Sequence, residues 1–247
     1  MHISLKPEII GELLGMPISN SLILSIFTAL LLIGGGFLVI RSLKTIPKRF
    51  QNSVELILEV ILDFMEQVLQ DRKQAKKFFP LIATLFLFIL LNNWIGVLPG
   101  IGSVGSFEME NGHEVFVPFF RTANSDLNTT LALALISMAA IQFYGMRKLG
   151  IFKYLSRFFV FTKGPIYFFV GILELIGEFA KVISFSFRLF GNIFAGEVLL
   201  VIMMALVPLI IPLPFFFLEF FVGLIQALVF AMLTLIFLKV ATAEVEH

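Results

Sequence analysis

Between Ile166 and Val207 an apolar run is interrupted by Glu174, Glu178, Lys181, Arg188, Asn192 and Glu197. Carboxylates can take up and release protons, whereas a guanidinium stays charged under all ordinary conditions and acts as a fixed positive charge. At about 100° per residue, the first five fall within an arc of about 80° on one helix, and Glu197 lies well outside it. One polar stripe therefore runs along an otherwise apolar rod. The chemistry that fits it is the passage of a proton or ion through an apolar medium, where charged groups are expensive unless they face protein, water or an opposite charge. Glu178 and Lys181 are close enough in sequence to neutralise each other inside a bundle, and that bland reading stands beside the functional one. Arg188 is different: the residues three and four positions away are Ser184, Phe185, Gly191 and Asn192, so its counter-charge is not local.

A second polar line lies downstream. Glu219, Gly223 and Gln226 are spaced by 4 and 3, which puts them on one helix face able to meet the first stripe. The alternative for Gln226 is a plain interhelical hydrogen bond. Asn92-Asn93-Trp94 and Ser125-Asp126-Leu127-Asn128 form two smaller groups at the ends of apolar runs, where they can line a watery vestibule or simply solvate helix ends. Asp126 also suits an N-cap, since a short carboxylate can accept from the first free amides of a helix.

The elements that must carry these residues are membrane helices. The chain is 59% hydrophobic and 14% charged, with a mean hydropathy of +1.00, against roughly 25% charged in an ordinary soluble domain. A soluble enzyme is excluded. With 18 basic and 17 acidic residues there is no global basic excess to attract nucleic acid. The lack of cysteine removes disulfides and thiolate metal sites, and three scattered histidines make a histidine metal centre implausible. No cofactor is expected.

A bilayer core of about 30 Å takes roughly 20 apolar residues of helix. Residues 21–40, 81–98 and 127–144 meet that length. The first is read as a span rather than a signal peptide, because Arg41, Lys44, Lys48 and Arg49 follow it instead of a small-residue cleavage site. Residues 51–70 have another pattern: Glu55, Glu59, Asp63 and Glu66 recur at helical spacing opposite Leu56, Ile57, Val60 and Phe64, giving an amphipathic surface helix whose acidic side faces water or a basic partner. Residues 166–207 read as one helix, about 60 Å long at roughly 1.5 Å per residue, too long for one upright crossing. Pro208, Pro212 and Pro214 then break the path, and 215–240 forms the last helix of a long tilted hairpin. The expected architecture is all-α and polytopic, one membrane domain over residues 1–247 with about five crossings.

Orientation follows from basic residues in short loops. Residues 41–77 hold eight lysines and arginines, and 145–164 hold Arg147, Lys148, Lys153, Arg157 and Lys163 without an acid. The 99–126 loop holds only Arg121 against Glu108, Glu110, Glu114 and Asp126. This predicts an outside N-terminus and a cytoplasmic C-terminus.

Ser184-Phe185-Ser186-Phe187-Arg188-Leu189-Phe190-Gly191-Asn192, then Ala195-Gly196-Glu197, then Gln226-Ala227-Leu228-Val229-Phe230, in that order and spacing, resemble subunit a of the F-type ATP synthases. Asn92-Asn93-Trp94-Ile95-Gly96, Leu98-Pro99 and Asp126-Leu127-Asn128 resemble it too, and the likeness runs from the first span to the C-terminus. It implies a non-catalytic stator subunit whose two long last helices lie against a rotating ring of subunit c, held by the peripheral-stalk subunit b in a bacterial inner membrane, with an organelle membrane as the alternative. It implies that Arg188 faces the ring carboxylate and that two aqueous half-channels reach it. Glu174 and Glu178 then belong to the inner half-channel, Glu197 and Glu219 to the outer one, and Asn192 and Gln226 to the polar path beside the arginine. Some relatives pair a glutamate with a histidine at the positions of Glu197 and Glu219, whereas two glutamates stand here and the titrating one is open. The competing reading, a secondary transporter binding an anion through Arg188, lacks an inverted repeat and paired interrupted helices.

Overall fold

Apolar runs of this length satisfy their backbone groups internally, which in lipid leaves the helix as the available form for a single segment. The computed structural model describes residues 7–13, 15–44, 49–110, 113–155, 165–207 and 212–243. Its helices are α1 Asn20–Ser42, α2 Arg49–Leu69, α3 Arg72–Val97, α4 Leu127–Leu149, α5 Ile151–Leu155, α6 Pro165–Leu206 and α7 Pro212–Thr242. Five of them, all but α2 and α5, are long and apolar enough to cross a membrane. Two short 3₁₀ turns, Ile101–Ser103 and Ala123–Ser125, and two small antiparallel hairpins complete the described elements: β1 Ile9–Leu13 with β2 Met16–Ser19, and β3 Gly105–Glu110 with β4 His113–Pro118. Neither closes into a larger sheet, so the expected helical membrane architecture holds and the hairpins are additions to it.

Two departures have simple physical causes. The helix α3 begins at Arg72, ahead of the apolar run at Leu81, because Asp71 caps it by accepting from the amides of Lys73 (2.8 Å) and Gln74 (3.3 Å). Its basic first turns carry no hydropathy signal, and Pro80 is accommodated within it. Pro212 and Pro214 open α7 rather than break the chain, since the first turn of a helix has no intrahelical use for the amide that proline lacks. Lys48, Arg157, Lys163 and Pro208 lie outside the described residues.

The helix α2 runs back along α3 through a turn at Gln70, whose φ is 59°. Its acidic side is partly answered within the chain: Arg72 pairs with Asp63 at 2.9 Å and with Glu66. Its Leu56, Ile57 and Val60 remain exposed, the amphipathic pattern of a helix lying at an interface.

The core has two parts. One joins α2, α3, α4 and α7 around Met65, Phe78, Ile82 and Leu235; the other joins α3, α4, α6 and α7 around Ile89, Leu189, Ile193 and Phe230. Phe185 of α6 lies 5.1 Å from the Phe230 ring and 5.6 Å from Phe237, fastening the hairpin. Thr130 and Ser186 exchange a buried hydroxyl hydrogen bond of 3.1 Å between α4 and α6. Fixing this face of α6 inward leaves the opposite face uncovered, with Phe179, Ile183 and Phe187 each more than half exposed.

Candidate functional site

Arg188 stands on that uncovered face. Leu189 and Phe185 point into the core, so a residue one step before Leu189 points out of it, and Arg188 is exposed. Its hydrogen bond goes to Ser184 Oγ at 3.2 Å, one turn back, and among the described residues no carboxylate pairs with it. Asn192 is exposed one turn further along the same face. Gln226 of α7 lines a small recess together with Arg188, Phe185, Leu189, Phe230 and Leu233, so the stripe of α6 and the polar line of α7 do meet there. Neither Asn192 nor Gln226 has a side-chain hydrogen bond among the described residues. They border the arginine without binding it.

At the end of the bundle that carries residues 99–126, acids from two helices converge. Glu219 is 5% exposed, and its Oε1 has no hydrogen-bond partner. Its carboxyl group occupies the space that a side chain at Gly196 would need, which brings it beside Glu197. Glu197 in turn holds Arg121 by a 3.1 Å ion pair through Nε. The sequence reading placed the two glutamates at the same end but missed Arg121 as their neighbour; the available signal was a lone base in a loop otherwise acidic. Around them lies an amide network. Asn124 Nδ2 donates to Asn93 Oδ1 (2.7 Å), Asn93 Nδ2 donates to the Gly223 carbonyl (2.9 Å), and Trp94 Nε1 donates to the Phe220 carbonyl (3.1 Å). Gly223 allows that approach, because a Cβ there would already sit 3.0 Å from Asn93 Cβ. Asn92 is fully buried and donates to the Phe88 carbonyl, with its own Oδ1 unpartnered. Buried amide and carboxyl oxygens without partners call for water or protons.

The same end is stapled by Asp126. Its Oδ1 accepts from the Asn128 amide (2.9 Å) as the N-cap of α4, and its Oδ2 accepts from Ser21 Oγ (2.8 Å) at the start of α1. The capping role expected from its sequence position is what it performs, with a tie to the first span added.

At the opposite end Glu178 meets Lys181 at 2.6 Å, and Lys181 lies over the Phe237 ring, 4.8 Å from its centroid. Glu178 is also bound from α4, where Gln142 Nε2 donates to its Oε2 at 3.0 Å. Glu174 is half-buried one turn away. The local neutralisation foreseen for Glu178 and Lys181 is therefore real, and the site residues separate into three places: the Glu197–Glu219 end, the Arg188–Gln226 middle and the Glu174–Glu178 end. Among the described residues no cluster of histidines and acids could hold a metal.

Residues 22–239 match the family model described as "ATP synthase A chain". Among curated proteins, the chain is 32% identical over 233 residues to the ATP synthase subunit a of Moorella thermoacetica, covering 94% of this chain and 95% of that protein. It is 33% identical over 221 residues to the ATP synthase subunit a of Campylobacter jejuni strain RM1221, covering 88% of each.

Proposed function

The chain belongs to the ATP synthase A chain family, a non-catalytic, multi-pass membrane subunit with a stator and proton-channel role, and from that membership we propose how its residues divide the work. Residues 99–126 face the outside and the C-terminus faces the cytoplasm, in line with the basic residues gathered at the opposite end. Glu197 and Glu219 then line an outer half-channel, Glu174 and Glu178 an inner one, and Arg188 stands between them against a rotating ring of subunit c. Subunit b of the peripheral stalk and the lipid bilayer cover the remaining helix faces.

The observation that carries this reading is Arg188 itself: an arginine exposed on an apolar helix face, bound to a neighbouring serine hydroxyl and to no carboxylate among the described residues. A permanent charge cannot stay uncompensated in lipid, so its counter-charge comes from a partner that covers α6. A carboxylate passing the guanidinium is favoured in its charged form and gives up its proton, whereas the same group facing lipid is favoured in its neutral form. Protons entering from one side and leaving from the other must then travel around with the ring. Between the two halves Arg188 and Gln226 are hemmed in by Phe185, Leu189, Phe230 and Leu233, and the fixed charge repels a proton that would cross directly from one half to the other.

Passive proton flux through vesicles containing the chain, with and without subunit c, tests this. Flux that requires the ring, and coupled ATP synthesis that is abolished by Arg188→Ala while the subunit stays inserted, is expected. Normal proton-driven synthesis by that variant overturns the assignment, and flux from the chain alone would establish a self-contained pore instead.

A further inference from the structure

The groups around Glu178 form a connected arm that no part of the path described so far uses. Tyr154, on the short helix α5, is 3% exposed, and its hydroxyl donates to Gln142 Oε1 at 2.6 Å. With its oxygen taken, the Gln142 amide must turn its Nε2 the other way, toward Glu178 Oε2 at 3.0 Å. The tyrosine is itself held in place: its ring fills the space over Gly145 of α4, where a Cβ would meet Cε2 and Cζ and crowd the Ala241 carbonyl of α7. One end of the Glu178 carboxylate is thus fixed by Lys181 of its own helix and the other by a glutamine whose orientation is set by a tyrosine.

We propose that Tyr154 and Gln142 are positioning residues for proton exit or entry at the inner end, orienting the Glu178 carboxylate toward the path. The proposal rests on the placement of Glu178 in the inner half-channel. Both donors present N–H groups, so each oxygen of Glu178 acts as an acceptor and the carboxylate is offered as a fixed, oriented acceptor to water in the channel. Without the tyrosine hydroxyl the amide can flip, placing its oxygen against the carboxylate and repelling it. Without the glutamine the carboxylate is held at one end and can swing toward Lys181. The hydrogen bond crosses from α4 to α6, so the arm also couples the small helix α5 to the channel mouth.

The test uses the assembled membrane sector in vesicles, with proton flux driven from each side in turn. Gln142→Met, which keeps volume and loses the donor, and Tyr154→Phe, which keeps the ring on Gly145, are compared with Glu178→Gln. The expected result is that both variants slow flux at the inner side by about three- to tenfold, the scale of one typical net hydrogen bond, and leave the outer-side step unchanged. In a Glu178→Gln background, Gln142→Met should have no further effect, and the carboxylate stretching band that Glu178→Gln removes should shift in Gln142→Met. If Glu178→Gln slows the inner side but Gln142→Met and Tyr154→Phe leave flux and the band untouched, the positioning role is wrong. If Glu178→Gln itself has no inner-side effect, it is the half-channel placement that fails.

Discussion

Glu219 of α7 lies directly on Gly196 of α6, so closely that even an alanine Cβ at position 196 would displace its carboxyl group. The glycine is thus part of the acid site. It lets the Glu219 carboxyl group reach across the hairpin and stand beside Glu197, which a helix-forming alanine would forbid.

Gly196→Ala should therefore displace the end of a flexible side chain rather than the helices themselves. Overpacking of this kind costs about 1–3 kcal/mol, and the glutamate can relieve most of it by turning away. The expected outcome is a subunit that inserts and assembles normally but passes protons from the outer side roughly tenfold more slowly. The check is side-resolved flux together with the amount of assembled complex. Loss of assembly without a specific outer-side defect would show that the contact serves packing alone.

Arg121 and Glu197 give the second prediction. Their ion pair joins the loop before α4 to α6, with side-chain exposures of 10% and 29%, so water weakens it only in part. Arg121→Gln and Glu197→Gln should each lower outer-side flux, and the double variant should be no worse than the more damaging single one. A coupling of about 1 kcal/mol is expected from such a cycle. Additive losses would mean that the two act separately.

Asp126 ties α4 to α1, and its removal has two consequences. Asp126→Ala takes away the N-cap and the carboxylate acceptor of the fully buried Ser21 hydroxyl, which is left with Ser19 Oγ, 2.9 Å away, as its partner. A lost cap costs about 1 kcal/mol and the lost hydrogen bond between α1 and α4 about 1 kcal/mol more. Asp126→Asn keeps the cap and should recover at least half of the loss. Thermal unfolding of the detergent-solubilised subunit, or its resistance to proteolysis, reads the difference.

How much of this was legible beforehand depends on distance along the chain. The long helices announce themselves because hydropathy is a local, additive signal: α6 is an apolar run whose continuity needs no tertiary knowledge. The polar stripe is equally local, since helical geometry alone aligns Glu174, Glu178, Lys181, Arg188 and Asn192. Arg188's unpaired state could be foreseen from the residues one turn away on each side. What could not be read are pairings that close over long loops. Arg121 with Glu197 spans 76 residues, and Asn93 with the Gly223 carbonyl spans 130; neither has a periodicity to betray it. The two hairpins differ: β1 and β2 are too short and irregular to stand above loop in sequence, whereas β3 alternates through Phe107 and Met109 and is followed by Asn111-Gly112, a hairpin signal that a reading led by hydropathy passed over. The start of α3 at a charged turn was hidden by the same hydropathy signal that revealed the rest of that helix.

The cap of α3 makes a pH prediction with a definite sign. Asp71 accepts from the backbone amides of Lys73 and Gln74, and these hydrogen bonds hold its carboxyl below its ordinary value of 3.8. A group whose folded value is lowered stabilises the fold fully above the unfolded value and loses that contribution as the pH falls through the folded one. The turn joining α2 to α3 should therefore loosen in acid, below the ordinary carboxylate range, and stay firm at neutral pH. Asp71→Asn retains an oxygen that can cap the helix but has no proton to gain, so its protection should be flat where that of the native chain declines. Amide exchange at Lys73 and Gln74, compared between the two proteins from about pH 2 to about pH 6, cancels the intrinsic pH dependence of exchange and leaves the cap's own. Parallel curves for the two proteins would mean that the carboxylate contributes nothing beyond an ordinary helix start.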